Sequence, residues 1–120
     1  MSKKVLIAED YTDTRTVMKL LLETCGYDVI EACDGFEAVA KAIEEHPDLI
    51  LMDIAMPVLD GLEATRAIRS HAELAKTPIL AVTAYGDFYR EKAEAAGCND
   101  VIQKPLDFDD LFPLVNHYVH

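Results

Sequence analysis

Residues 49–52 read Leu-Ile-Leu-Met, four apolar side chains in succession, and the run stops on a carboxylate, Asp53. A strand with one face in water alternates apolar and polar residues, so an unbroken run belongs to a strand covered on both faces, as in a parallel sheet. Val5 to Ala8 shows the same pattern. Together with residues 27–32, 78–84 and 99–104, the segments 3–9 and 48–53 predict five strands.

The stretches between them carry helical spacing. Val17, Met18, Leu21, Leu22 and Cys25 recur every three or four residues over 13–25, and Gly26 follows as a stop. Ala38, Val39, Ala42 and Ile43 share one face of a helix over 36–45, which ends before His46-Pro47. Further helices are predicted over 61–71, over 87–96 with Gly97 closing it, and from Phe108 onward. Pro113 falls inside the last, so that helix either bends there or has its regular part starting nearer Asp110.

Strand and helix therefore alternate five times, which requires an α/β fold: a doubly wound parallel sheet with right-handed crossovers and helices on both faces. The 120 residues, 51% of them hydrophobic, suit a single domain spanning residues 1–120. Sheets of this kind bind ligands beyond the carboxyl ends of their strands, near the point where strand order reverses.

With 22 acidic and 11 basic residues the chain carries a formal charge of -11, which repels a phosphate backbone and sets nucleic acid aside as a direct partner. The apolar run after Lys3 and Lys4 is too short for a signal peptide or a membrane span, so a cytoplasmic protein without a membrane partner is expected. Cys25, Cys33 and Cys98 form no Cys-x-x-Cys pair and are expected as buried free thiols. His117 and His120 share a face only if the last helix persists to the final residue, and a frayed terminus is expected rather than a metal site.

The polar residues at the carboxyl ends of the strands are Glu9 and Asp10, Asp53, Thr83 and Lys104. Each has a plainer role taken alone: Asp10 as a helix cap, Glu9 as a solvated loop acid, Asp53 as a turn residue, Thr83 as a strand former, Lys104 as surface charge. Their conjunction at one edge carries the argument. Three acids brought together repel unless a cation joins them, and an all-oxygen site with several carboxylates suits Mg²⁺. A lysine and a hydroxyl beside them could hold phosphoryl oxygens while an acid attacks phosphorus.

These residues lie in "LIAEDY", "LILMDIAMPVLDG", "ILAVTAY" and "VIQKP", and through them the whole chain resembles the response-regulator receiver domains of two-component signalling. The resemblance implies a flavodoxin-like (βα)5 sheet of strand order 2-1-3-4-5. It implies Asp53 as phosphoacceptor, and Mg²⁺ held by Asp10, Asp53, the Ala55 carbonyl and, through water, Glu9. Thr83 would contact the phosphoryl oxygens. Lys104 would pair with the phosphoryl group or, before it arrives, with Asp53. A cis peptide is implied between Lys104 and Pro105. The phosphoryl donor would be a phosphohistidine on a histidine kinase or phosphotransfer protein, and a downstream protein would bind the face made by the fourth helix, fifth strand and fifth helix.

The receiver is expected to carry no output domain and to switch by catalysing its own phosphorylation and dephosphorylation, without acting as an enzyme on outside substrates. One departure stands out: the family's switch aromatic, three residues before the lysine, is Val101 here, leaving Tyr85, Phe88 and Tyr89 as candidates to report the state. Two rival functions are a scaffold of the same fold that signals without phosphate, and a small Mg-dependent phosphatase. The latter commonly needs a second acid two residues after its nucleophile, where this chain has Ala55.

Overall fold

The structure, a computed structural model, describes residues 2–120. Five strands, β1 (Lys4–Ala8), β2 (Asp28–Ala32), β3 (Leu49–Asp53), β4 (Ile79–Thr83) and β5 (Asp100–Gln103), alternate with five helices. The helices are α1 (Thr12–Thr24), α2 (Gly35–Glu45), α3 (Gly61–Arg69), α4 (Gly86–Ala96) and α5 (Phe108–Val119). All strand pairs are parallel and the sheet order is β2-β1-β3-β4-β5. Fold class and strand order are those expected. A 3₁₀ turn at Ala72–Leu74 was not expected; no periodicity marks it in the sequence.

The apolar runs divide as the pleat dictates, with successive side chains going to opposite faces. Leu6, Ala8, Ile50, Met52, Ile79 and Ala81 pack with residues of α2, α3 and α4. Val5, Ile7, Leu49, Leu51, Leu80 and Val82 pack with Met18 and Leu22 of α1 and Leu111, Val115 and Val119 of α5. Every residue of β3 and β4 is buried. Each large aliphatic side chain so placed contributes about 1.5–3 kcal/mol, so these central strands hold the layers together.

The two helix layers change sides between β1 and β3. The chain leaves β1 into α1 on one face and enters β3 from α2 on the other, so the crevice beyond the ends of β1 and β3 is open. Three helices begin on aspartate caps: Asp34 accepts from the Glu37 amide at 2.8 Å, Asp60 from Glu63 at 2.9 Å and Asp107 from Asp109 at 2.9 Å. The helices α1 and α4 begin on Tyr11 and Tyr85 with no side-chain cap. Helix α5 runs unbroken from Phe108 through Pro113, so its regular part does not start nearer Asp110. The bond denied by Pro113 is that to the carbonyl of Asp109, which is exposed and can be served by water.

The thiols depart in part from expectation. All three are free, but only Cys98 is buried; Cys25 is half-buried, and Cys33, in the loop beyond β2, is exposed. His120 lies past the end of α5.

The β3–α3 loop is folded tightly onto the sheet. Ile54 donates its amide to Val82, and Gly61 donates to the Ile54 carbonyl at 3.0 Å. A Cβ at Gly61 would run into the carbonyl of Asp53, so only glycine lets α3 start this close to the strand end. Val58, at the tip of the loop, has φ 68 and is 84% exposed. A β-branched residue in the left-handed region is strained by about 1–2 kcal/mol, with no burial to offset it. Val58→Asn is therefore expected to stabilise the protein by about 1 kcal/mol, read as a higher urea midpoint at unchanged slope.

Candidate functional site

The ends of β1, β3, β4 and β5 bring Glu9, Asp10, Asp53, Thr83 and Lys104 to one edge of the sheet. Asp53 is the last residue of β3 and Thr83 the last of β4. Glu9 follows β1 directly and its amide donates to Ala32 of β2 at 3.0 Å, extending that ladder by one step. Lys104 follows β5 and its amide donates to the Thr83 carbonyl at 2.8 Å; the peptide bond from Lys104 to Pro105 is cis.

Glu9 and Asp53 are nearly inaccessible, at 2% and 3% exposure, whereas Asp10 lies exposed at the rim. The Lys104 ammonium bridges the two buried acids, 3.0 Å from Glu9 Oε1 and 3.1 Å from Asp53 Oδ2. The second oxygen of each takes a backbone donor: the Tyr11 amide reaches Glu9 Oε2 and the Ala55 amide reaches Asp53 Oδ1, both at 3.1 Å. Thr83 is buried and its hydroxyl accepts from the Tyr85 amide at 3.1 Å.

One carboxylate oxygen from each of Glu9, Asp10 and Asp53 lies within 4.8 Å of the others. A single lysine among three acids leaves the cluster short of positive charge, and the protonation equilibria register it. Burial, followed by the Asp53 carboxylate, raises the Glu9 pKa above its ordinary value. Burial and the neighbouring Glu9 raise that of Asp10. Burial disfavours the Lys104 ammonium, but hydrogen bonds to Glu9 and Asp53 outweigh it and raise its pKa. The donor set, oxygen only and anionic, fits a hard divalent ion such as Mg²⁺.

Three donors were not singled out from the sequence. Arg15 of α1 donates from Nη1 to the Glu9 carbonyl at 2.7 Å, and the amides of Tyr11 and Ala55 fix the free carboxylate oxygens. Backbone donors carry no sequence signal. Arg15 carries a weak one, six residues past Glu9 and facing back from the first turn of a helix.

The rim is apolar. Tyr11, Val58, Tyr85, Phe88 and Phe108, on the loops and helix starts that surround Asp53, are all exposed. A groove of ≈ 340 Å³ between α1 and the start of α5 opens beside Lys104, lined by Val17, Met18, Leu21, Pro105, Leu106 and Phe108 among others. Among the described residues no helix is long and apolar enough to cross a membrane.

Comparison with known proteins agrees with this geometry. The polar-differentiation response regulator DivK of Brucella ovis is 38% identical over 99% of this chain and 98% of its own length. The receiver domain of a sensor histidine kinase from Pseudomonas aeruginosa, solved with a magnesium ion coordinated in its active-site cleft, superposes with a TM-score of 0.92. It is 36% identical, covering 99% of this chain and 98% of that one. The chemotaxis response regulator CheY4 of Vibrio cholerae gives a TM-score of 0.93 at 31% identity, over 98% of this chain and 99% of its own. With residues 5–116 also matching the response regulator receiver domain family, the chain belongs to that family of two-component signalling domains.

Proposed function

We propose that this receiver takes a phosphoryl group from a phosphohistidine onto Asp53 in a Mg²⁺-dependent step and thereby changes the surface it offers to a downstream protein. The observation that carries the reading is the Lys104 ammonium held at 3.1 Å from Asp53 Oδ2 and 3.0 Å from Glu9 Oε1, on a carboxylate otherwise buried in the sheet. A buried aspartate at the end of an apolar strand is costly to a structure and useful to a nucleophile.

In the proposed reaction an Asp53 carboxylate oxygen attacks phosphorus, the P–N bond to the donor imidazole breaks, and its electron pair leaves with the imidazole. Nucleophile and phosphoryl group are both anionic, so their repulsion has to be removed first. Lys104 supplies one positive charge at the attacking oxygen. Mg²⁺, when bound by Asp10, Asp53 and the Ala55 carbonyl with Glu9 through water, supplies the rest of the neutralisation. The Ala55 amide orients the carboxylate, and Thr83, at the end of the adjacent strand, is placed to donate its hydroxyl to a phosphoryl oxygen. The exposed apolar side chains at the rim favour a protein as donor, because a small phosphoester would leave them uncovered. A histidine kinase or a phosphotransfer protein acting in the cytoplasm meets that requirement.

Transmission starts at Thr83. Its hydroxyl accepts from the Tyr85 amide, which opens α4, so a turn of the hydroxyl toward phosphate loosens that loop. Val101 is a buried core residue and offers no ring to rotate. Exposed Tyr85 and Phe88 instead flank an open cleft of ≈ 240 Å³ against Gln103 of β5. In this proposal the change falls on the α4–β5–α5 face, which would be the surface for a downstream partner. Tyr85 and Tyr89 ring resonances are expected to shift on phosphorylation; unchanged resonances would remove these residues from the switch.

Incubation with Mg²⁺ and acetyl phosphate is expected to add one phosphoryl group to the intact mass. The gain disappears in Asp53→Asn and in EDTA. No gain in the wild type, with beryllofluoride also failing to bind, would instead favour a scaffold that signals without phosphate. Metal binding should also depend on pH with a definite sign. Since the fold raises the pKa values of Glu9 and Asp10, both hold protons to higher pH than solvated carboxylates, and those protons compete with Mg²⁺. The increase in thermal midpoint caused by Mg²⁺ is therefore expected to be full at neutral pH. It should fade on acidification before the ordinary carboxylate range is reached.

A further inference from the structure

We infer that Arg15 is a positioning residue for the acid pair, setting the affinity for a divalent cation through the peptide that joins Glu9 to Asp10. The inference rests on the Mg²⁺-dependent reading above. The Arg15 side chain, 16% exposed, runs from α1 back to the end of β1. Its Nη1 donates to the Glu9 carbonyl at 2.7 Å, and its Nε donates to Glu31 Oε1 of β2 at 3.2 Å. The other oxygen of Glu31 is held by Lys19, one turn further along α1, at 3.3 Å.

The Glu9 carbonyl belongs to the peptide bond leading into Asp10, so rotation of that peptide swings the Asp10 carboxylate. The amide of Glu9 is fixed by Ala32 at 3.0 Å, and Arg15 fixes its carbonyl, so the chain is clamped on both sides of Glu9 just before it leaves the sheet. Asp10 itself stands exposed at the rim. Its aim is therefore set by the backbone behind it. Partners one shell removed from a metal act in this way, and their loss commonly costs about 10–100-fold in metal affinity.

Charge and geometry make opposite predictions, which separates them. Arg15 is a cation near a cation site, so on charge alone its removal would tighten binding. Its pairing with Glu31 mutes that effect, and the guanidinium fork that spans two acceptors cannot be copied by an ammonium. Both Arg15→Gln and Arg15→Lys are thus expected to weaken binding.

The test is a titration of the metal-free chain with Mg²⁺ followed by amide NMR shifts, with thermal unfolding in EDTA measured alongside. About tenfold weaker Mg²⁺ binding is expected in Arg15→Gln and Arg15→Lys. Glu31→Gln touches none of the three carboxylates and is expected to weaken binding less. Added to Arg15→Gln, it should cause no further loss, because the two act through one clamp. A purely structural clip would lower the midpoint in EDTA and leave the Mg²⁺ Kd of the Arg15 variants within twofold of wild type, and that result overturns the inference. If the Arg15 variants fail to fold, an unchanged Kd in Glu31→Gln overturns it instead. A wild type that binds no Mg²⁺ overturns the receiver chemistry and this inference with it, whereas normal wild-type binding with unaffected variants overturns this inference alone.

Discussion

A sheet buried on both faces leaves its chain few places for polar chemistry, and the rest of this structure follows from that constraint. Strands β3 and β4 have no solvated side, so a charge within them would meet the full cost of desolvation. Polar groups are confined to the strand ends, and parallel strands put all the carboxyl ends on one side. Glu9, Asp10, Asp53, Thr83 and Lys104 are neighbours because four short strands, β1, β3, β4 and β5, stop together. Glu9, Asp53, Thr83 and Lys104 each stand at a strand end whose backbone is held by the sheet.

Electrostatics decides what such an edge can do. Glu9 and Asp53 are buried side by side, and Lys104 lies between them as their shared counterion. The pairing holds the lysine next to Asp53 rather than in solvent, where its flexible stem would otherwise carry it. It also leaves the three acids with more negative charge than one lysine balances, and the burial of Glu9 and Asp53 limits how far water screens the excess. An anionic, oxygen-only cluster of this kind suits a hard divalent cation.

Much of this was legible in the sequence. Apolar runs too short for helices and too continuous for half-exposed strands identified the parallel sheet, and the polar residues at the ends of every run but the second are the ones gathered at one sheet edge. Less visible was whatever depends on the path of the backbone. Val58 in the left-handed region is one case, since valine is among the residues least suited to it. The donors to the free oxygens of Glu9 and Asp53 are main-chain amides, which every residue but proline has. Arg15 was passed over because a lone arginine on a helix reads as surface charge until the register shows a carbonyl beside it. The Asp-x-x-Glu spacings at 34–37 and 60–63 did hold a readable signal, the signature of a capped helix start.

The caps themselves divide the molecule. Helices α2, α3 and α5 each begin on an aspartate that satisfies an early amide, while α1 and α4 begin on tyrosines that satisfy none. A missing cap lowers local stability by about 1 kcal/mol, which is small against a folded domain but large against the fraying of one turn. The first turns of α1 and α4 lie at the same sheet edge as Asp53, and their amides are expected to exchange with solvent more readily than those of the capped first turns. At the Asp53 edge, firmly capped helix starts at α3 and α5 thus stand beside more yielding ones at α1 and α4.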